Sequence, residues 1–289
     1  MSSPKQVIVI GAGIIGASIA WHLTKAGAQV TVVSESGAGG VATPNSFAWV
    51  NASWGNPEIY FQLRIRAMSE WTRLAKDVPG LPFAWCGGLC FDLPPDRLEA
   101  YAAEHSSWGY GIERVDAKRA GEIEPNLVAP PDFAVYVAEE GVELPLDTPP
   151  GLIVHSRPHR KLLNGLVHAE RLHMRQTAEG RIIAGSDFAG GDPGEDPEAA
   201  ARQLFAVTKA ALRGADELEL DFHTVGYRPT PVDGFPVISR ADGVGGLYIA
   251  VMHSGITLAP AVGLFAAREI LEGERDVLLT PYGLERFAR

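Results

Sequence analysis

Cysteine is the scarcest chemistry in this chain: only Cys86 and Cys90 occur in 289 residues. Two thiols exclude a disulfide framework and a four-cysteine zinc site, so buried, reduced thiols in a cytoplasmic chain are the expectation. Positive charge is also short, with 25 Lys and Arg against 35 Asp and Glu, a formal charge of -10 and a pI near 5.3. A nucleic-acid partner, which needs a basic face to displace counterions, is therefore not expected. The one basic run, "HSRPHRKLLNGLVHAERLHMR" from His155 to Arg175, is interrupted by apolar residues and reads as a solvated face. No transmembrane segment is evident; Val7 to Trp21 imitates a signal-peptide core but contains three glycines and lacks a basic lead and a cleavage site. The histidines lack metal-ligand spacing and the serines lack a nucleophile elbow, which leaves neither a metal centre nor a serine hydrolase.

What is present is enough apolar material for a large core: 46% hydrophobic residues and a mean hydropathy of +0.03. "QVIVI" (Gln6 to Ile10) reads as a buried strand, Ile15 to Ala26 as a helix stopped by Gly27, and "QVTVV" as a second strand, a βαβ opening. Pro57 to Asp77 predicts a helix with Ile59, Leu63, Ala67, Trp71 and Leu74 on its core face and Asn56 at its start. Beyond Gly80 the pattern turns to short strands and loops, with a hairpin turning at Thr177 to Gly180 and a helix over Pro197 to Arg213. The strand "GLYIAV" and a helix from about Ala259 to Glu272, stopped by Gly273, close the chain. The expected architecture is α/β: a Rossmann-like domain over 1–79 and 226–289, interleaved with a mixed-sheet α+β domain over 80–225.

Gly11, Gly13 and Gly16 form G-x-G-x-x-G directly after the first strand. In that context the first glycine permits the turn, the second lets backbone approach a pyrophosphate, and the third allows close helix packing. The second strand ends in Ser34-Glu35, so Glu35, or Ser34 in its place, would hold the ribose hydroxyls. With no basic residue there, FAD or NAD is favoured over NADP. In "VGYRPTPVDGFPVIS", Pro229 and Pro231 stiffen the backbone that follows Arg228 and so aim its side chain; a surface ion pair is the competing reading.

Four stretches in the same order, the glycine fingerprint, "NSFAWVNASWGNPEIYFQLR", "GYRPTPVDGFPVI" and "GLYIAVMHSGITLAP", resemble the D-amino-acid oxidase family of flavoproteins, which includes glycine oxidase, sarcosine oxidase and D-amino-acid dehydrogenase. The resemblance implies an FAD-dependent oxidoreductase that oxidises the C–N bond of a small amino or imino acid, with a FAD/NAD(P)-binding Rossmann-like domain over 1–79 and 226–289 and a substrate domain over 80–225. It assigns Arg228 to the substrate carboxylate and Gly11, Gly13, Ile14, Ile15, Gly16, Ser34, Glu35, Asn45 and Ser46 to the cofactor. Ser254, Gly255, Ile256 and Thr257 would pass under the flavin. His253 is either catalytic or a structural histidine bonded to backbone. Some relatives carry a second arginine where this chain has Ser254-Gly255. An NAD-linked dehydrogenase and a non-catalytic relative with weak or no nucleotide binding are the rival readings.

The chain departs from the resemblance at "EEGVELPLDTPPGLIVHS", Glu139 to Ser156, where two landmarks that are far apart in relatives are fused. About two supersecondary units of roughly 30 residues each are missing from the nucleotide domain. The first strand is then expected to lose a neighbour, FAD binding to be weaker than the fingerprint suggests, and the protein to self-associate as a homo-oligomer. Closing up of the remaining strands around a compact site is the alternative.

Overall fold

The computed structural model describes residues 3–44, 46–53, 55–81, 83–137, 140–142, 151–186, 193–226, 229–241 and 244–287. In chain order these form β1 (Gln6–Ile10), α1 (Ile14–Lys25), β2 (Gln29–Val33), β3 (Trp49–Val50), α2 (Glu58–Asp77), β4 (Phe83–Trp85), β5 (Gly88–Phe91), α3 (Pro95–Ser107), β6 (Ile112–Asp116), α4 (Ala117–Ile123), β7 (Phe133–Val137) and β8 (Glu140–Val142). There follow β9 (Leu152–Ser156), β10 (Leu166–Ala169), β11 (Leu172–Gln176), β12 (Ile182–Gly185), α5 (Pro197–Ala210), β13 (Leu220–Val225), β14 (Val237–Arg240), β15 (Tyr248–Val251) and α6 (Gly255–Glu272). They fold into two compact units, one from 1–44, 56–81 and 228–289, the other from 45–55 and 82–227.

The first unit is Rossmann-like. β1 and β2 run parallel in register Val7↔Val30 to Ile10↔Val33, joined by α1, while β14 and β15 form a separate antiparallel pair. Alternation along the strands turns Val7, Val9 and Val30 onto a core shared with Ile19, Leu23, Leu63, Ile238, Val262 and Phe265. α1 and α6 pack together within that core, tied by the Ser18 hydroxyl donating to the Ala259 carbonyl at 2.7 Å. The opposite face of the β1–β2 ladder carries Ile8, 69% exposed, and Ile10, 85% exposed.

α2 starts at Glu58, so Ile59, expected on its core face, lies in the first turn and is exposed; the buried stripe is Tyr60, Leu63, Arg64, Ala67, Met68, Trp71 and Leu74. α6 starts at Gly255, earlier than its spacing predicts, and contains Pro260. Proline has no N–H, so the Ile256 carbonyl one turn back loses its helical donor. The Trp71 indole supplies one, at 3.0 Å. This bond docks α2 against the first turn of α6.

The second unit is built on a mixed sheet in the order β13-β9-β12-β11-β10-β5-β7-β6, mostly antiparallel, with the β10–β5 pair parallel. Val154, Val167, Met174 and Ala184 point to one face and pack on α4 and α5 through Ala120, Leu204 and Phe205. The other face is covered by Phe47 and Trp49, which pack on Ile153, Leu166 and Ile183. β3, β8 and β4 make a small antiparallel sheet. Of the fused segment that follows, 143–150 lies outside the described residues. The hairpin turning at Thr177 to Gly180 forms as β11–β12. The basic run from His155 to Arg175 is a solvated face only in part: Arg157, Arg160, Lys161 and Arg171 are exposed as expected, whereas His155, His168, His173 and Arg175 are buried. Strand alternation sends them to the face beneath Phe47 and Trp49, where Trp49 stacks on His168 at 3.9 Å and Phe47 meets His173 edge-on at 4.6 Å.

Candidate cofactor-binding site

In the first unit the glycine fingerprint makes the turn between β1 and α1. Gly11 has φ 102°, and a Cβ on Gly16 would collide with the Gly11 carbonyl oxygen, so the helix can leave the strand this closely only with glycine at both positions. Gly13 is the N-cap of α1. A Cβ there would approach the Thr43 hydroxyl at 3.2 Å. Thr43 Oγ1 accepts the Ile14 amide at 2.9 Å, the role an anion's oxygen fills at a helix N-terminus, and the Gly39 amide donates to the Ala12 carbonyl at 3.0 Å. The segment after β2 thus folds back onto the loop. Ser34 is half-buried and Glu35 exposed just beyond β2.

The start of α6 meets the start of α1: a Cβ on Gly255 would touch Ile15 Cγ1 at 3.5 Å. Two helix N-termini, each equivalent to roughly +0.5 charge, therefore converge. A diphosphate or an anionic ring edge requires amide donors at a positive helix end; Gly13 and Gly255 add no side chain of their own there, while Thr43 Oγ1 already caps the Ile14 amide and shares its donor with any ligand. Ile256 and Thr257 are buried, their carbonyls taken by Trp71. His253 and Ser254 are half-buried, with Ser254 Oγ 2.8 Å from His253 Nδ1. From α2, Arg64 Nη1 donates to Ser254 Oγ at 3.0 Å. Neither Thr43 nor Arg64 is among the residues the sequence singled out. Arg64 shares the i, i+4, i+7 spacing of Met68 and Trp71, a signal of burial that was there to read.

Ser46 belongs to the second unit, where its hydroxyl accepts the Ala48 amide at 3.0 Å. Asn45 and Arg228 lie outside the described residues. The second unit also holds a cavity of about 380 Å³ lined by Cys86, Lys161, Asn164, Arg175, Gln176 and Glu179 among others. Arg175 Nε there donates to the Phe47 carbonyl at 2.6 Å. Among the described residues no helix is long and apolar enough to cross a membrane.

Comparison with known proteins fits this arrangement. Glycine oxidase of Bacillus licheniformis is 24% identical over 343 aligned positions, covering 92% of this chain and 93% of that protein. Hydrogen cyanide synthase subunit HcnC of Pseudomonas protegens is 29% identical over 153 residues, which span 51% of this chain and only 36% of that protein's length. The crystal structure of L-proline dehydrogenase from P. horikoshii superposes with a TM-score of 0.84 at 19% identity, covering 99% of this chain and 98% of that one, a likeness of fold. The model of the family described as FAD dependent oxidoreductase matches residues 6–148 and 142–269. With matched residues running through both units, the chain belongs to the FAD dependent oxidoreductase family.

Proposed function

We propose that the protein binds FAD in the first unit and oxidises the C–N bond of a small amino or imino acid, of the D-amino-acid, glycine or sarcosine type. The observation that carries this reading is the convergence of the α1 and α6 N-termini at Gly13 and Gly255, neither of which adds a side chain at its helix end. Gly11 to Gly16 would take the diphosphate, Ser34 or Glu35 the ribose, and the amides from Gly255 to Thr257 the pyrimidine edge of the ring. The acceptor for the substrate's hydride would be supplied by FAD bound there. Arg228, aimed by its proline-stiffened motif, would bind the substrate carboxylate through two parallel charge-assisted bonds and so fix the carbon to be oxidised. With the amine neutral, no strong general base is needed, and the imine product hydrolyses in water.

We further infer that the nucleotide domain is shortened. The two segments matched by the family model overlap at 142–148, and the 343 aligned positions to glycine oxidase exceed the 289 residues of this chain. The β1–β2 ladder has two strands and an exposed apolar face, which supports the rival reading of a weak or non-catalytic nucleotide binder. Equilibrium dialysis against FAD, sedimentation of the same sample and a screen of small amino acids test both. The expected result is a readily lost yellow complex in a self-associating protein that reduces its flavin with one of these substrates. Arg228→Ala is expected to keep FAD binding and lose about 2 to 4 kcal/mol of transition-state binding for carboxylate substrates. Undiminished turnover in Arg228→Ala overturns the arginine's role, and no spectral change with saturating FAD overturns the cofactor.

A further inference from the structure

We propose that Arg64 is a positioning residue for the site at the start of α6: through the Ser254 hydroxyl it fixes the His253 ring with its Nε2–H outward, and it holds a permanent positive charge beside that helix end. The proposal rests on the reading that this segment carries the flavin.

Three observations lead to it. Arg64 projects from α2 into the first unit and is 4% exposed, with its guanidinium 5.5 Å from the centre of the Tyr60 ring. Burying a guanidinium costs several kcal/mol before its contacts return anything, so the position of such a charge calls for a reason. Ser254, which receives the Arg64 bond, has φ 55°, one of two non-glycine residues with positive φ among those described. A non-glycine residue holds that conformation only where its surroundings over-determine it. The third observation is the chain of contacts from Arg64 through Ser254 to His253. A guanidinium has donors only, so the Ser254 oxygen accepts from Arg64; the hydroxyl keeps one hydrogen and one lone pair, and in the proposed arrangement the hydrogen is directed to His253 Nδ1, 2.8 Å away. Nδ1 then acts as acceptor, and the proton of the neutral imidazole resides on Nε2.

The same geometry has an electrostatic consequence. Arginine remains charged at any working pH, and here its charge adds to the positive end of α6. Negative charge that develops on a group bound at this helix end is stabilised by both, without reorganisation, because the Ser254 bond holds the guanidinium in place.

Two measurements on the full chain test the proposal separately. The first is ¹⁵N NMR of the His253 ring in the protein without FAD, at a pH where the ring is neutral. The Nε2–H tautomer is expected to dominate in the parent, and that preference is expected to be lost in Arg64→Met and in Ser254→Ala. An unchanged tautomer in both variants overturns the relay. The second is the midpoint potential of bound flavin, expected to fall in Arg64→Met and to return most of the way in Arg64→Lys, which keeps the charge. A potential unmoved in both variants overturns the charge effect. If Arg64→Met does not fold, the Ser254→Ala tautomer decides the relay and Arg64→Lys against Arg64→Gln decides the charge. A chain that takes up no FAD defeats the cofactor reading and the charge effect with it, while the NMR result still decides the relay.

Discussion

Gly16 shows how one atom governs the fingerprint. A Cβ there would meet the Gly11 carbonyl oxygen head-on and must displace backbone, because neither partner is a flexible side-chain end. Gly16→Ala is expected to cost at least about 2 kcal/mol and to lower the thermal midpoint even without FAD. An unchanged midpoint would mean that α1 can shift away from β1 at little cost. The three glycines were legible in the sequence because each answers a local steric demand within a few residues. Thr43 was not, since its contact with the Ile14 amide depends on how the chain after β2 folds back. Arg64 was half legible: its helical spacing announced burial, but not that its partner would be Ser254, 190 residues away.

At the scale of elements, the α2–α6 contact is decided by a helix defect. Pro260 removes the amide that would serve the Ile256 carbonyl, and the Trp71 indole replaces it at 3.0 Å. Trp71→Phe keeps most of the buried area but leaves the carbonyl unserved, with an expected loss of about 1 to 3 kcal/mol. Adding Pro260→Ala returns an amide to the ladder and is expected to recover part of that loss. A denaturant-unfolding double-mutant cycle checks this, and strict additivity of the two changes would refute the compensation. The strands tell a different story. β1 and β2 were readable from their β-branched runs, yet Ile8 and Ile10 lie on an exposed face, because a strand's apolar pattern states what could be buried and not whether anything covers it.

For the whole molecule, burial of neutral histidines sets the response to acid. Burial, reinforced by the Arg181 and Arg175 charges, pushes His155 down to about 3, and burial next to His173 holds His168 well below its ordinary value. Burial also lowers His22 and His105. Above the ordinary value of 6.5 these groups are neutral in both states and stability is independent of them. As pH falls below it, the unfolded chain takes up protons that the folded chain cannot, and stability drops until each folded value is reached. His155 alone accounts for about 2 kcal/mol by pH 5. Two carboxyls act in the opposite sense. Burial raises Asp92 to about 6 and lifts Glu124 above its ordinary value, so their contributions are largest in acid and are lost as pH rises through the folded values. Four histidines outweigh two carboxyls, so the thermal midpoint is expected to fall between pH 7 and pH 5. His155→Phe, which preserves the stacking on Phe222, is expected to flatten that slope. A midpoint that rises toward pH 5 would refute the account.

The sequence by itself determined the βαβ opening, the nucleotide turn, the α/β class and the family, because these rest on local sterics and on residues adjacent in the chain. Only the tertiary structure decided which polar groups are buried. The run from His155 to Arg175 has a surface-like composition, yet its strands lie inside the sheet of the second unit, where alternation and the cover of Phe47 and Trp49 take the histidines out of water. The same is true of the site. The meeting of α1, α6 and α2 at Gly255, Ser254 and Arg64 depends on helices far apart in sequence sharing one core, and no spacing rule reaches across that distance.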